Sequence, residues 1–567
     1  VIGLISATAA GAAARDRLAA AWPGRTRVYG GPVGEAVRAA FAECEQLVCF
    51  LATGAVVRLV APLLSDKASD PGVVCVDEAG RFAVSLVGGH GGGANELAVE
   101  VGELLGAEPV VTTATDAVGV PGLDTLGLPV EGDVAGVSRA LLDGEAVALV
   151  AEVAWPLPPL PLTKGSAQQG SYTVRVTDRV VELAEREVLL RPPSLVVGVG
   201  ASKGAPVDEV LGLVEGTLRE AGLSPASLAE LATVDAKSDE PGLVAAAERL
   251  GVPLRTYSAG ELAAVEVPNP SAAPLAAVGT PSVAEAAALV RGGELLVPKR
   301  KSARADGAPA MATCAVVRRP GRGRLAVVGL GPGARDLLTP RARAELRGAA
   351  VLVGLDQYVD QIRDLLRPGT LVLESGLGAE EERARTAVAE ARRGHAVALI
   401  GSGDAGVYAM ASPALAEASD DIDVVGVPGV TAALAAAAIL GAPLGHDHVS
   451  ISLSDLHTPW EVIERRVRAA AEADIVVTFY NPRSRGRDWQ LPKALAILAG
   501  HREPATPVGV VRNASRSDES SRVTTLGSLD AATVDMMTVV TVGNTATRQI
   551  AGRMVTPRGY RWQEEPK

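Results

Sequence analysis

The sequence predicts an α/β fold from end to end, built as several small domains in series. Short apolar runs alternate with Ala-rich helical stretches along most of the chain, which is the pattern of strands buried beneath helices. Alanine, valine and leucine must supply the core, because 48 % of residues are apolar while only 3 % are aromatic. Turns rich in glycine, of which there are 62, repeatedly follow the strand-like runs. At 567 residues the chain exceeds what one core can serve, and three to four domains are expected.

The first predicted domain is residues 1–126. Val1–Ser6 reads as a strand, Ala9–Ala21 as a helix, and Leu47–Leu51 as a strand ahead of Thr53-Gly54. Val73–Val76 and Phe82–Val87 flank Asp77-Glu-Ala-Gly80, whose turn residues mark a hairpin. Gly88-Gly-His-Gly-Gly-Gly93 then opens a helix from Ala94. Residues 127–192 read as a middle region and linker, since Trp155-Pro-Leu-Pro-Pro-Leu-Pro161 is stiff and Thr163 to Ser171 is polar. A further domain, 193–318, opens on a strand at Leu195 that runs into Gly200-Ala-Ser-Lys-Gly204. Val207–Ala221 is its helix, and Leu295–Pro298 and Cys314–Arg318 are later strands.

After a linker at 319–324, which contains Pro320-Gly-Arg-Gly-Arg324, the alternation restarts for residues 325–567. Strands are predicted at Leu325–Val328, Val351–Val353, Val397–Ile400, Asp423–Val425, Ile475–Phe479, Val508–Val511 and Thr538–Val542. Helices are predicted at Pro340–Leu346, Glu380–Arg393 and Pro459–Ala473, with mixed sheets late in the chain and two lobes dividing near 440–447.

The segment Leu325-Ala-Val-Val-Gly-Leu-Gly-Pro-Gly333 resembles a dinucleotide fingerprint only in part. Pro332 removes a backbone donor and fixes φ, and Arg335-Asp336 stand where the third glycine is required. The loop suits close approach to a ligand but not the cradling of a diphosphate, which argues against a nicotinamide dinucleotide. Three more small-residue turns follow strand ends: Ser402–Tyr408, Val427–Ala432 and Tyr480–Ser484. In open α/β sheets such turns can converge on one crevice, whereas singly each is an ordinary strand-to-helix connection. Gly403 and Gly429 would let backbone approach a flat ligand, and Asp404 is an acceptor suited to ribose hydroxyls or an ammonium group.

These residues resemble a known family. Gly-x-Gly-Pro-Gly, Ser-Gly-Asp-Ala-Gly-x-Tyr, Val-Pro-Gly-Val-Thr-Ala-Ala and Leu453–Glu461 are similar to the tetrapyrrole methyltransferases of cobalamin biosynthesis. Leu453–Glu461 and Phe479–Arg485 most resemble the precorrin-3B C17-methyltransferases, also called cobalt-factor III methyltransferases. The resemblance covers roughly residues 324–560 and implies S-adenosyl-L-methionine in a cleft between two α/β lobes. It further implies that Pro332, Ser402, Gly403, Asp404, Val407, Thr431, Ala432, Asn481, Asn513 and Ala514 line the cofactor site. Ala405 stands where sister enzymes have proline, and Gly354-Leu355 where Gly-Tyr is expected; neither change touches a group that must carry charge. A sulfonium methyl is already activated, so transfer needs alignment and exclusion of water more than a strong acid or base. Ring contraction, also implied, would follow the C17 methylation.

The preceding residues, about 1–318, resemble cobalt-precorrin-5A hydrolase, which opens a lactone. The resemblance rests on Thr53–Pro62, Leu86–Ala98, Thr112–Asp116, Gly200–Gly204, Lys237–Gly242, Val267–Ser271 and Ser282–Ala286. Ester opening needs an activated water beside oxyanion donors. His90 in its Gly-rich turn is one candidate base, and a purely structural turn residue is the alternative. Ser202 and Lys203 form a second candidate pair, with an anion-binding turn as the alternative. Arg58 and Arg483, with Arg485 and Arg487, are candidate partners for substrate carboxylates; otherwise the latter three belong to a solvated loop.

The reading is therefore a bifunctional corrin-ring enzyme; the alternative is an active methyltransferase fused to a non-catalytic tetrapyrrole-binding module. A formal charge of −12 and no basic run longer than Lys299-Arg300-Lys301 disfavour nucleic acid. The longest apolar run, Thr431 to Leu444, contains Pro443 and falls short of the ~20 residues a membrane span needs. Four cysteines without a C-x-x-C pair indicate neither a zinc knuckle nor a disulfide framework, and a cytoplasmic setting is expected. His446-Asp447-His448 lacks a third ligand at a fixed spacing, so a turn competes with a metal reading and no metal is assigned. A homodimer is expected from the family resemblance.

Overall fold

A computed structural model describes residues 1–66, 69–164, 171–303, 307–319, 321–484 and 486–559. The chain divides into two compact units, Val1–Gly321 with Arg367–Gly369, and Arg322–Leu366 with Thr370–Lys567. Both are α/β, and each predicted strand and helix is present within a few residues of its predicted ends.

In the first unit a six-stranded sheet runs Thr26–Tyr29, Ile2–Ser6, Gln46–Phe50, Gly72–Val76, Phe82–Val87, Glu108–Val110. The predicted hairpin is real, with Gly72–Val76 antiparallel to Phe82–Val87. Its turn is fixed by the Asp77 carboxylate, which accepts N–H bonds from Arg81 at 2.7 Å and Phe82 at 2.8 Å. Residues 127–192 are more than a linker. They supply a five-stranded mixed sheet ordered Val130–Gly132, Glu187–Leu190, Tyr172–Val176, Val147–Ala151, Thr163–Lys164. A third sheet runs Leu254–Tyr257, Leu228–Val234, Leu195–Ala201, Ala312–Arg318, Glu294–Lys301. The four cysteines are buried and unbridged, and burial beside Cys75 pushes the Cys49 thiol up to about 12.

Among the described residues the second unit holds two five-stranded sheets and a small one ordered Gly441–Ala442, Arg553–Val555, Arg548–Ile550. The first is wholly parallel, ordered Leu371–Ser375, Val351–Leu355, Ala396–Gly401, Arg324–Gly329, Asp423–Val427. Its inner strands are nearly continuous apolar runs because helices cover both faces, packing Leu325, Val327 and Leu399 on one side and Val328, Leu352 and Ile400 on the other. The second sheet is mixed and ordered His448–Ser452, Val476–Tyr480, Thr538–Val542, Pro507–Arg512, Ser520–Thr525. Among the described residues no helix is long and apolar enough to cross a membrane.

Candidate active site

Strand order in the parallel sheet decides which turns meet. Ala396–Gly401, Arg324–Gly329 and Asp423–Val427 are neighbours, so the turns that leave their carboxyl ends lie side by side. Gly331 and Gly403 exchange backbone hydrogen bonds, Gly331 N to Gly403 O at 3.0 Å and Gly403 N to Gly331 O at 2.8 Å. A methyl group on Gly429 would sit 2.2 Å from the Gly403 carbonyl oxygen and 2.8 Å from that of Gly329. The close approach anticipated for Gly429 is thus made by another turn rather than left for a ligand.

Asp404 serves the same purpose. One carboxylate oxygen accepts from Gly406 N–H at 2.8 Å and the other from Gly429 N–H at 3.0 Å, binding its own turn to the Val427–Thr431 turn. Each oxygen retains a lone pair for a further donor. Val407 closes the Ser402–Tyr408 turn through its N–H to Asp404 O, and Ser402 lies beside the Tyr358 hydroxyl, whose pKa burial pushes up.

The second sheet faces these turns. Arg516 donates from Nε to the Pro332 carbonyl at 3.0 Å, and Ala334 N–H reaches Ser515 Oγ at 3.3 Å. Tyr408 donates to the Ser450 carbonyl at 2.8 Å, and its ring lies 5.2 Å from that of Tyr480. Asn481, one residue on, donates to Ser452 Oγ at 3.1 Å. Asn513 is 7 % exposed; its amide donates to Asp518 at 2.6 Å, while Oδ1 is buried without a hydrogen-bond partner among the described residues. Ala514 beside it is also buried. Tyr408, Asn481, Asn513 and Ser515 all have φ between 49° and 63°, so strained backbone gathers where the turns meet. Pro332, Ser402, Gly403, Asp404, Val407, Thr431, Ala432, Asn481, Asn513 and Ala514 all stand on turns or helix starts at this meeting place.

Within the arginine-rich loop Arg487 is not solvated. Arg487 is 7 % exposed and donates to the Leu453 and Asn481 carbonyls, and burial lowers its pKa. Arg483 donates to the Ala531 and Ala532 carbonyls. Both shape the loop before they can meet a substrate; Arg485 lies outside the described residues. Tyr480, whose ring meets that of Tyr408, stands in a motif whose spacing does not mark it as a helix cap.

In the first unit His90 Nε2 lies 2.7 Å from Thr115 Oγ1. His90 and Gly91–Gly93 line a cavity of about 800 Å³ whose other walls include Glu45, Asp70, Glu96 and Glu100. Nearby, Ser85 donates to Asn95 Oδ1 at 2.7 Å and Asn95 Nδ2 donates to Thr113 Oγ1 at 3.0 Å, tying the first turn of the Ala94–Leu105 helix to the strand and loop beside it. Arg58 donates to Gly54 O of its own helix at 2.8 Å.

Ser202 and Lys203 are exposed, and among the described residues no hydrogen bond joins their side chains. The Gly204 N–H of that turn is taken by buried Glu240 at 2.6 Å, which also meets Lys237 at 3.1 Å. Burial alone would raise the Glu240 pKa; the Gly204 bond and Lys237 outweigh it and hold the carboxyl below its usual range.

Residues 324–530 match the family model for tetrapyrrole (corrin/porphyrin) methylases, 195–317 that for the cobalamin synthesis G C-terminus, and 35–116 that for its N-terminal part. A Salmonella typhimurium protein named "Probable cobalt-factor III C(17)-methyltransferase" is 47 % identical over 239 residues, which are 42 % of this chain and 99 % of that protein. A Sinorhizobium precorrin-3B C(17)-methyltransferase is 42 % identical over 250 residues, 97 % of its length. A Priestia megaterium cobalt-factor III methyltransferase is 42 % identical over 248 residues, but these span only 45 % of that longer protein. Among solved structures, the methyltransferase CobJ is 39 % identical across all of that chain and 41 % of this one, with a TM-score of 0.40. By the family match at 324–530 and the near-complete coverage of the Salmonella protein, this chain belongs to the tetrapyrrole (corrin/porphyrin) methylases.

Proposed function

We propose that the second unit methylates C17 of precorrin-3B or its cobalt counterpart and contracts the ring, and that the first opens the lactone of cobalt-precorrin-5A. The methyl donor is S-adenosyl-L-methionine, which when bound supplies an electrophilic methyl group. The observation that carries the reading is the convergence of turns from two facing sheets on one place, with a buried acceptor, Asn513 Oδ1, left over there. That acceptor suits an amino or hydroxyl donor of an adenosine, while Pro332 keeps the first turn from serving as a diphosphate cradle.

The residues of this site bind and orient. The hydroxyls of Ser402 and Thr431 and the Asp404 carboxylate offer polar contacts, and the Gly329–Gly403–Gly429 packing holds them in register. Alignment and exclusion of water are what in-line transfer to an electron-rich carbon requires. In the first unit, His90 activates water with Thr115 fixing its ring, and the Gly-rich turn supplies backbone donors to a developing oxyanion. Arg58 and Arg483 meet substrate carboxylates with the donors their backbone contacts leave over. The protein acts as a dimer, which light scattering tests.

Incubating the protein with labelled S-adenosylmethionine and precorrin-3B or its cobalt form, followed by identification of the product, tests the methylation. Label must appear at C17 of a contracted ring; recovery of unmodified macrocycle refutes it. Lactone opening is assayed separately on the later intermediate.

A further inference from the structure

The helix Ala432–Leu440 begins at Thr431, yet the Thr431 side chain makes no capping bond to it. A threonine at that position ordinarily accepts from the N–H groups of the first turn. Here Ala433 N–H donates instead to the Tyr480 hydroxyl at 2.9 Å, and the same hydroxyl is hydrogen-bonded to Thr431 Oγ1. Tyr480 ends the strand Val476–Tyr480 of the second sheet, on which this helix packs through Ala435, Ala436 and Leu440 against Val511 and Val539, so the cap comes from the neighbouring strand end rather than from Thr431. Its ring is held by Tyr408, with centroids 5.2 Å apart and planes at 55°, and Tyr408 is itself anchored to Ser450 O at 2.8 Å. Tyr408 keeps this place at a φ of 52°, where a non-glycine residue is strained.

We propose that Tyr480 is a positioning residue for methyl transfer: its hydroxyl sets the Thr431–Ala433 turn, where the chain passes from the parallel sheet to the helix packed on the second sheet, into the form that takes the cofactor. This rests on the cofactor reading above. The chemistry is direct. A phenol that accepts from Ala433 N–H has its proton and a second lone pair left to fix the Thr431 hydroxyl, so one group settles both the helix start and the side chain beside it. Tyr408 supports Tyr480 through the contact of their rings.

The test is titration of the full chain with S-adenosylhomocysteine by calorimetry, comparing wild type with Tyr480→Phe, which keeps the ring packing and removes only the hydroxyl. The dissociation constant is expected to rise about five- to tenfold with stoichiometry near that of wild type, and KM for the donor to rise in proportion. A merely structural role would instead lower the stoichiometry or Tm and leave the affinity of the folded fraction unchanged; that result overturns the proposal. Should Tyr480→Phe fail to fold, Tyr408→Phe reads the same coupling through the lost Ser450 bond. It is expected to weaken affinity about threefold, and wild-type affinity would overturn the inference. If wild type itself does not bind, the cofactor reading falls; if wild type binds and the variants match it, only the tyrosine assignment falls.

Discussion

Gly429→Ala should cripple the methylase unit, and the structure gives the scale of the damage. The added methyl would lie 2.2 Å from the Gly403 carbonyl oxygen and 2.8 Å from the carbonyl carbon and oxygen of Gly329. All of these are backbone atoms on adjoining turns, so no side chain can swing aside. Overpacking of this kind costs about 3 kcal/mol, which in a unit of this size corresponds to a fall in Tm of about 6–12 °C. The Gly403 and Gly429 turns must part to relieve the clash, stretching the Gly429 N–H bond to Asp404. Cofactor affinity should drop at least about tenfold, or ~1.4 kcal/mol, and transfer should slow by about 100-fold for an ångström of displacement. Gly426→Ala is the control, since nothing lies within 4 Å of a methyl there. Scanning calorimetry and titration with S-adenosylhomocysteine measure both effects. A Gly429→Ala protein with wild-type Tm and affinity would refute the claim that the three glycines pack the turns together.

Arg502→Ala should destabilise the second unit by on the order of 3 kcal/mol, because its buried guanidinium serves the carbonyls of Val542, Gly543, Ala470 and Ile475; the urea midpoint measures it. Glu240 titrates below the usual carboxylate range when folded, so its stabilisation is complete above the unfolded pKa of about 4.3 and is lost as pH falls through the lower folded value. Glu240→Gln should therefore flatten the acid limb of the first unit's stability curve below about pH 4.3, and an unchanged limb by calorimetry would exclude the carboxyl as its source. His90→Ala should abolish lactone opening by at least about 100-fold and leave C17 methylation at the wild-type rate; equal loss of both, or of neither, refutes the division of labour.

Strands buried on both faces were legible because burial forces continuous apolar runs. Leu325–Val328 and Val397–Ile400 carry no polar residue, and their strands proved central. Three edge strands were not. Leu371–Ser375 ends in Glu-Ser, His448–Ser452 alternates polar and apolar, and Ser520–Thr525 is mostly hydroxyl-bearing. A half-exposed edge needs only alternation, which a loop can mimic. The sheet within 127–192 escaped because its strands flank a Pro-rich stretch whose composition dominates any local reading. At the site, the small-residue turns announced where the backbone would crowd. They did not reveal that Asp404 spends its oxygens on Gly406 and Gly429, or that Arg487 is consumed by carbonyls, because hydrogen-bond partners distant in sequence leave no mark on local spacing.

The distribution of backbone strain shows why this site needs two lobes. Asparagine reaches positive φ at modest cost because its short polar side chain can bond locally, and Asn513, which donates to Asp518, fits that rule. Tyr408 does not, and its conformation costs about 1 kcal/mol or more. Nothing in its own turn recovers that amount. The compensation comes from the facing sheet, through the Ser450 carbonyl and the Tyr480 ring. An isolated parallel-sheet lobe would therefore lack the contacts that hold Tyr408 in place. Three of the turns belong to one sheet by sequence, but the shape in which they meet is set jointly with the other.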